Sequence, residues 1–185
     1  MTISENNPAR FVLLDRDGVI NVDPGDYTTT IDEWEWAPGA LEGIKKLTEA
    51  GFGILIITNQ ACIAKELQTG EGLAVLHEFM LGTIREHGGD ILRIYHCPHQ
   101  TSDGCDCRKP EPGMILQAAE DYGFDPAETF LIGDTPRDME AARRAGVRGI
   151  IVSSSLLEEE EEELPGEFIA ADLLEAAEIV IRETG

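Results

Sequence analysis

Basic residues are scarce in this chain. Lys and Arg total 14 against 36 Asp and Glu, a formal net charge of −22 over 185 residues. Nucleic-acid backbones are bound through clustered cations, so this balance argues against DNA or RNA as a partner. It disfavours an acidic membrane surface in the same way. An enzyme acting on anions would need local cations and a metal to overcome such a field. A salty cytosol that screens the charge is the second reading of the same balance. Long apolar runs are also missing. The longest stretches, Phe11–Leu14 and Gly53–Ile57, are far too short to span a bilayer. Residues Met1 to Asn7 lack a basic region followed by an apolar one, so no secretory signal is read and a soluble cytoplasmic protein is expected. Cysteine is limited to Cys62, Cys97, Cys105 and Cys107. Three of the four lie within eleven residues beside a histidine, a metal pattern rather than a disulfide framework.

What is present is an alternation of strand-like and helix-like segments within a length that suits one domain. Strands are expected at Phe11–Leu14, Gly53–Ile57, Ile91–Tyr95, Thr129–Ile132 and Arg148–Val152, with a short sixth at Phe168–Ala170. Helices are expected over Pro38–Ala50, Gly72–Glu86, Gly113–Tyr122, Pro136–Ala145 and Asp172–Arg182. Repeated βα units of this kind predict an α/β fold, a mostly parallel sheet covered by helices on both faces. Asn21–Trp36 and His96–Pro112 interrupt the rhythm as long connections. The first has room for a small flap but not for a second domain. Glu158–Glu163, six glutamates in a row, reads as a solvated face or a mobile loop.

The chemistry collects at the ends of the expected strands. The first strand ends in Asp15-Arg16-Asp17-Gly18. Strand residues two apart share a side, so both carboxylates can reach one site while Arg16 points away. One carboxylate can attack phosphorus. The other can protonate the departing alkoxide and later deprotonate water. Gly18 permits a sharp turn, and its position directly after Asp17 fits a calcium-binding EF-hand loop poorly. Thr58-Asn59-Gln60 follows the second strand and offers a hydroxyl and backbone N–H groups to phosphoryl oxygens. Arg108-Lys109-Pro110 supplies a planar fork and a point charge. Gly133-Asp134-Thr135-Pro136-Arg137-Asp138 follows the fourth strand. There Asp134 can bind Mg²⁺ together with Asp15, and Asp138 can orient metal-bound water or cap the next helix.

Cys97, His99, Cys105 and Cys107 offer three thiolates and an imidazole, a set that suits a closed tetrahedral structural zinc site. His96 is a competing ligand. Such a site would stiffen the loop that ends in Arg108 and Lys109. Cys62 reads as a small buried residue near the pocket rather than a nucleophile.

The series DRDG, TNQ, RKP and GD-x-x-x-D, in this order, resembles the haloacid dehalogenase superfamily of phosphohydrolases over residues 10–152. The resemblance implies a cap-less, Rossmann-like three-layer sandwich. It also implies Asp15 as nucleophile, Asp17 as acid/base, and Thr58 and Lys109 as phosphoryl stabilisers. Asp134 and the main-chain carbonyl of Asp17 join Asp15 as magnesium ligands. C-P-H-x5-C-x-C-R-K-P resembles the heptose-bisphosphate and histidinol-phosphate phosphatase subfamily, whose pattern favours His99 over His96. Ile20–Tyr27 and Thr58–Lys65 look more like the heptose members, which act in heptose and lipopolysaccharide biosynthesis. Ala61-Cys62, Lys65-Glu66 and Ser153–Ser155 depart from them. A small phosphorylated sugar is then the expected substrate, held by Asp23, Tyr27, Asn59, Gln60, Arg108 and Thr135, with the protein a monomer. The different-class alternative is a non-catalytic binding module that kept the fold and uses its acidic run as a docking strip.

Overall fold

The computed structural model describes residues 8–152 and 167–185. The glutamate run and Ser153–Ser155 lie outside the described residues. Six parallel strands form one sheet: β1 (Arg10–Leu14), β2 (Phe52–Asn59), β3 (Arg93–Cys97), β4 (Phe130–Gly133), β5 (Arg148–Val152) and β6 (Phe168–Ala170). Their spatial order is β3-β2-β1-β4-β5-β6. The chain builds outward from β1 on one side, then returns to build outward from β4 on the other. The carboxyl ends of β1 and β4 therefore flank the point where strand order reverses, the crevice in which open α/β sheets bind ligands.

Strands buried on both faces read as continuous apolar runs, which is why β1, β2 and β4 were legible as strands. Alternate side chains feed two cores. Val12, Leu14, Ile54, Ile56 and Ile132 pack on one face with α1 (Ala40–Glu49), α2 (Gly70–Glu86) and α5 (Leu173–Thr184). Phe11, Leu13, Leu55, Ile57 and Leu131 pack on the other with α3 (Gly113–Tyr122) and α4 (Pro136–Ala145). The result is the α/β sandwich that the alternation predicts.

The third strand is displaced from its expected place. It was placed at Ile91–Tyr95, yet pairing with β2 runs from Leu55↔Arg93 to Asn59↔Cys97. Ile91 plugs the core before the ladder begins. The polar His96 and Cys97 remain in the ladder because β2 itself continues through Thr58 and Asn59. The connection after β1 folds back on itself through bridges Asp17↔Asn21 and Asn21↔Trp36, and closes with a short 3₁₀ turn at Ile31–Glu33. It is the small flap expected of Asn21–Trp36.

Candidate active site

Asp15 continues β1 by one hydrogen bond, its N–H donating to the carbonyl of Ile132 at 2.9 Å. The chain then turns tightly, with the N–H groups of Ile20 and Asn21 both donating to the carbonyl of Arg16. Gly18 sits in this turn at φ +81°, where a Cβ would lie 1.9 Å from Oδ2 of Asp134. Only glycine lets the first loop approach the end of β4 so closely.

Lys109 reaches the same point from the cysteine-rich loop. Its Nζ donates to the carbonyl of Ile57 at 2.7 Å. It also lies 2.9 Å from Oδ1 of Asp15 and 2.6 Å from Oδ1 of Asp138. Asn59 fixes the lysine's backbone, donating from Nδ2 to its carbonyl and accepting its N–H, both at 3.0 Å. Asp138 is buried, and its Oδ2 accepts the N–H and hydroxyl of Thr135 at 3.0 and 2.5 Å. It caps α4 and serves as the lysine's second counterion.

Burial pushes the carboxyl of Asp15 up to about 8; Lys109 opposes the rise, and Asp138, Asp134 and Asp17 add to it. Burial, followed by Asp138, pushes Asp134 up to about 7. Burial also acts against the charge on Asp138, but Lys109 and Thr135 outweigh it and hold this carboxyl below its usual value. Burial would likewise lower Lys109, yet Asp138 and Asp15 hold it above its usual value. Ligand oxygens of Asp15, Asp134 and Asp138 lie within 4.8 Å of one another. Asp138 is already matched by a cation. Asp15 and Asp134 are short of positive charge, and that imbalance fits a divalent cation between them.

The strand period puts Arg16 on the far side of the site. Arg16 does lie outside the cleft lining, although the strand ends at Leu14 and the period-two rule lapses before residue 16. The guanidinium curls back to Asp17, with Nη2 2.7 Å from its Oδ1. Gln60 differs from expectation. It is fully buried behind the cleft and is not part of the lining. Its Nε2 donates to Oδ2 of Asp17 at 2.8 Å and to Oγ1 of Thr58 at 2.9 Å. Cys62 is buried as expected, its thiol 3.6 Å from Oε1 of Gln60 and pushed up by burial.

These groups floor an open cleft of about 270 Å³, a size suited to a small metabolite. Asp15, Asp17, Thr58, Asn59, Lys109 and Asp134 line it, and so do the expected substrate contacts Asp23, Tyr27, Arg108 and Thr135. The lining residues that sequence reasoning missed include two cations, Lys65 and Arg137, besides Gly25 and Asp26. The signal lay in the charge balance. Most cations of this acidic chain are ion-paired, whereas Arg10, Lys65, Arg108 and Arg137 have no acidic partner among the described residues, and of these all but Arg10 line the cleft. Lys65 instead lies 4.9 Å from the ring centre of Tyr27.

Beside the cleft, Cys97, His99, Cys105 and Cys107 gather their ligand atoms within 4.8 Å. Their sulfurs stand 3.2–3.6 Å apart, and Nδ1 of His99 is 3.3 Å from Cys107. A tetrahedron built on 2.3 Å metal–sulfur bonds has edges of roughly 3.8 Å, so the cluster is near the size a zinc ion needs. His96 lies elsewhere, 6.1 Å from His77 between ring centres. Gly113 brings α3 against this loop, since a Cβ there would meet the carbonyl of Asp106 at 2.3 Å.

Residues 106–176 match the HAD-hydrolase-like family. The chain is 41% identical over 143 residues to the D-glycero-β-D-manno-heptose-1,7-bisphosphate 7-phosphatase of Pseudomonas aeruginosa, covering 77% of this chain and 80% of that one. The chain belongs to the haloacid dehalogenase-like phosphatases. A second relative, the same-named enzyme of Bordetella bronchiseptica, is 36% identical over 177 residues, 94% of this chain and 99% of that one. A third, from Photorhabdus laumondii, is named for the α anomer and is 39% identical over 150 residues, 77% of this chain and 81% of that one. The fold of this haloacid dehalogenase-like chain matches the crystal structure of the B. bronchiseptica D,D-heptose 1.7-bisphosphate phosphatase complexed with magnesium and phosphate. That match has a TM-score of 0.86 at 35% identity and covers 94% of this chain and 99% of the other. Among the described residues no helix is long and apolar enough to cross a membrane.

Proposed function

We propose that the protein is a magnesium-dependent phosphatase that removes the 7-phosphate of D-glycero-D-manno-heptose 1,7-bisphosphate. The observation that carries this reading is the contact of Asp15 with Lys109 at the switch point of the sheet, 2.9 Å apart, with Asp134 beside them. The heptose itself rests on the relatives' names. Oδ1 of Asp15 accepts the N–H of Arg16 at 2.7 Å as well as the lysine, which leaves Oδ2 to attack phosphorus. The bond from Asp15 to phosphorus forms as the bond to the sugar's O7 breaks, and a proton from Asp17 goes to O7. Water then attacks the aspartyl-phosphate, losing its proton to Asp17 and releasing Asp15. Thr58 and Lys109 hold the phosphoryl oxygens. Asp15, Asp134 and the carbonyl of Asp17 would hold magnesium, which when bound would neutralise charge on the phosphoryl group.

Arg108 and Arg137 hold the distal phosphate as unpaired cations at the rim, and Asp23, Tyr27, Asn59 and Thr135 bind the sugar. Cys97, His99, Cys105 and Cys107 would hold a structural zinc ion, which would close the loop that delivers Lys109. We place this single hydrolase domain in the cytoplasm, where cysteines stay reduced and available to a metal, and take it to act as a monomer. Phosphate release from both heptose anomers and from histidinol phosphate, with Mg²⁺ and with EDTA, tests the reading. Preference for histidinol phosphate would replace the heptose, and absence of Mg²⁺-dependent release would remove the enzyme.

A further inference from the structure

Arg16 is the largest fully buried side chain among the described residues. A buried guanidinium is costly, and an apolar side chain of similar volume serves a core as well or better. What arginine adds is a directed fork. Here the fork meets a histidine and an aromatic ring besides its acidic partner. Nη1 stands 3.4 Å from Nε2 of His77 on α2, and the ring of Trp34 lies 5.8 Å from Cζ. Burial, then Arg16, pushes His77 down to about 3, so its ring is neutral and can accept from the guanidinium. The acidic partner of Arg16 among the described residues is Asp17.

The contacts on Asp17 are unequal. Its Oδ1 accepts from Nε and Nη2 of Arg16 at 3.3 and 2.7 Å and from Nδ2 of Asn21 at 3.0 Å. Its Oδ2 accepts from Gln60 alone among the described residues, at 2.8 Å. Three donors fill the lone pairs of Oδ1, while Oδ2 keeps one free in a side chain that is 25% exposed at the cleft. We propose that Arg16 is a positioning residue that pins Oδ1 of Asp17 and so aims Oδ2 at the oxygen that must gain or lose a proton. The inference rests on Asp17 being the acid/base of the proposed function. In the first step the proton leaves Oδ2 for the sugar oxygen as the phosphorus–oxygen bond breaks. In the second it returns to Oδ2 from water as water bonds to phosphorus.

Rapid-mixing kinetics with p-nitrophenyl phosphate test this, because p-nitrophenolate departs without a proton whereas hydrolysis of the aspartyl-phosphate still needs a base. Arg16→Met is expected to release one p-nitrophenolate per active site in a burst and then turn over about 10²-fold more slowly. Its Mg²⁺ half-saturation is expected to stay unchanged, and Arg16→Lys to recover part of the rate. Asn21→Ala keeps the buried charge and removes one donor to Oδ1, so it covers the case in which Arg16→Met does not fold. It should give the same burst with a loss of about tenfold. A burst that falls in step with turnover in both variants, or turnover left intact, overturns the role given to Arg16. Asp17→Asn is run beside them. Normal turnover in that variant would instead overturn the role given to Asp17, whatever the Arg16 variants do.

Discussion

Nζ of Lys109 stands 2.9 Å from Asp15 and 2.6 Å from Asp138, so one ammonium serves the proposed nucleophile and a buried helix cap together. Removing it has two consequences that can be measured separately. Lys109→Met takes a charge from the transferring phosphoryl group, and kcat is expected to fall about 10²–10³-fold. It also strands the Asp138 carboxylate, and breaking a buried pair from one side costs about 3–5 kcal/mol. A melting temperature lower by roughly 10 °C follows for a chain of this size. Calorimetry that showed no destabilisation would deny the lysine its structural half.

Gly18 and Asp134 form the second relationship that a substitution can probe. Gly18→Ala places a methyl 1.9 Å from Oδ2 of Asp134 at a φ of +81°, so the carboxylate must move. The expected outcome is a Mg²⁺ half-saturation raised by about tenfold or more, since that carboxylate is one of few protein ligands magnesium would have. Titrating activity against Mg²⁺ reads this directly.

The raised carboxyls predict an unusual pH response. Asp15 titrates near 8 and Asp134 near 7 in the folded, magnesium-free protein, against about 4 in the unfolded chain. The folded state then binds more protons between about 4 and 8, so stability declines as pH rises through that window. His77 acts in the opposite sense. Its folded value of about 3 lies below the unfolded one, so its contribution is lost only as pH falls below about 6.5. Comparing pH 7 with pH 9 therefore leaves His77 out, but the thiols still contribute, since burial pushes Cys62, Cys97 and Cys107 up and Cys105 lies lowered at about 7. The carboxyls are read from the part of the shift that depends on Mg²⁺. Magnesium-free protein should melt lower at pH 9, and added Mg²⁺ should raise the melting temperature more at pH 9 than at pH 7. Equal shifts at the two values would mean that the ion does not compete with these protons.

Arg137 yields a specificity prediction. It lines the cleft beside Arg108, and neither has an acidic partner among the described residues. Arg137→Gln should raise KM for the bisphosphate about tenfold, roughly what one charge-assisted hydrogen bond is worth. It should leave hydrolysis of p-nitrophenyl phosphate within about twofold, because that substrate lacks a second phosphate. Steady-state kinetics on the two substrates decide it.

The legible and illegible parts of the site divide at the ends of strands. Phe11–Leu14 and Gly53–Ile57 announce themselves as doubly buried strands, and the polar residues just beyond them had to lie at the sheet's carboxyl edge. Asp15, Thr58 and Asp134 were found by that logic. Side-chain direction past a strand's last residue obeys no period, so the contact of Arg16 with Asp17 goes unforeseen and Gln60, expected in the cleft, lies buried behind it. Strand β3 was misplaced because its apolar signal starts in the preceding loop, whereas its pairing continues into the polar His96 and Cys97. Arg137 stands at a variable position of the Gly133–Asp138 stretch, so the motif does not mark it; its place in the cleft lining without an acidic partner among the described residues exposes it.

The cysteine loop supports the last prediction. Lys109 lies two residues beyond Cys107, and its backbone is tied to Asn59 by two hydrogen bonds. A metal that fixes Cys107 thus fixes one end of the segment that carries the lysine. His99→Ala removes a ligand of the cluster, whereas His96→Ala touches a ring that packs near His77 on another side. Purified protein is expected to contain one zinc per chain, retained in His96→Ala and reduced in His99→Ala. Losing one of four ligands should lower zinc affinity by about 10²-fold or more, since metal binding here is also folding energy. The melting temperature of His99→Ala should then depend on added zinc while that of His96→Ala does not. Zinc retained in full by His99→Ala would remove the imidazole from the ligand set and leave the three thiolates to account for the ion.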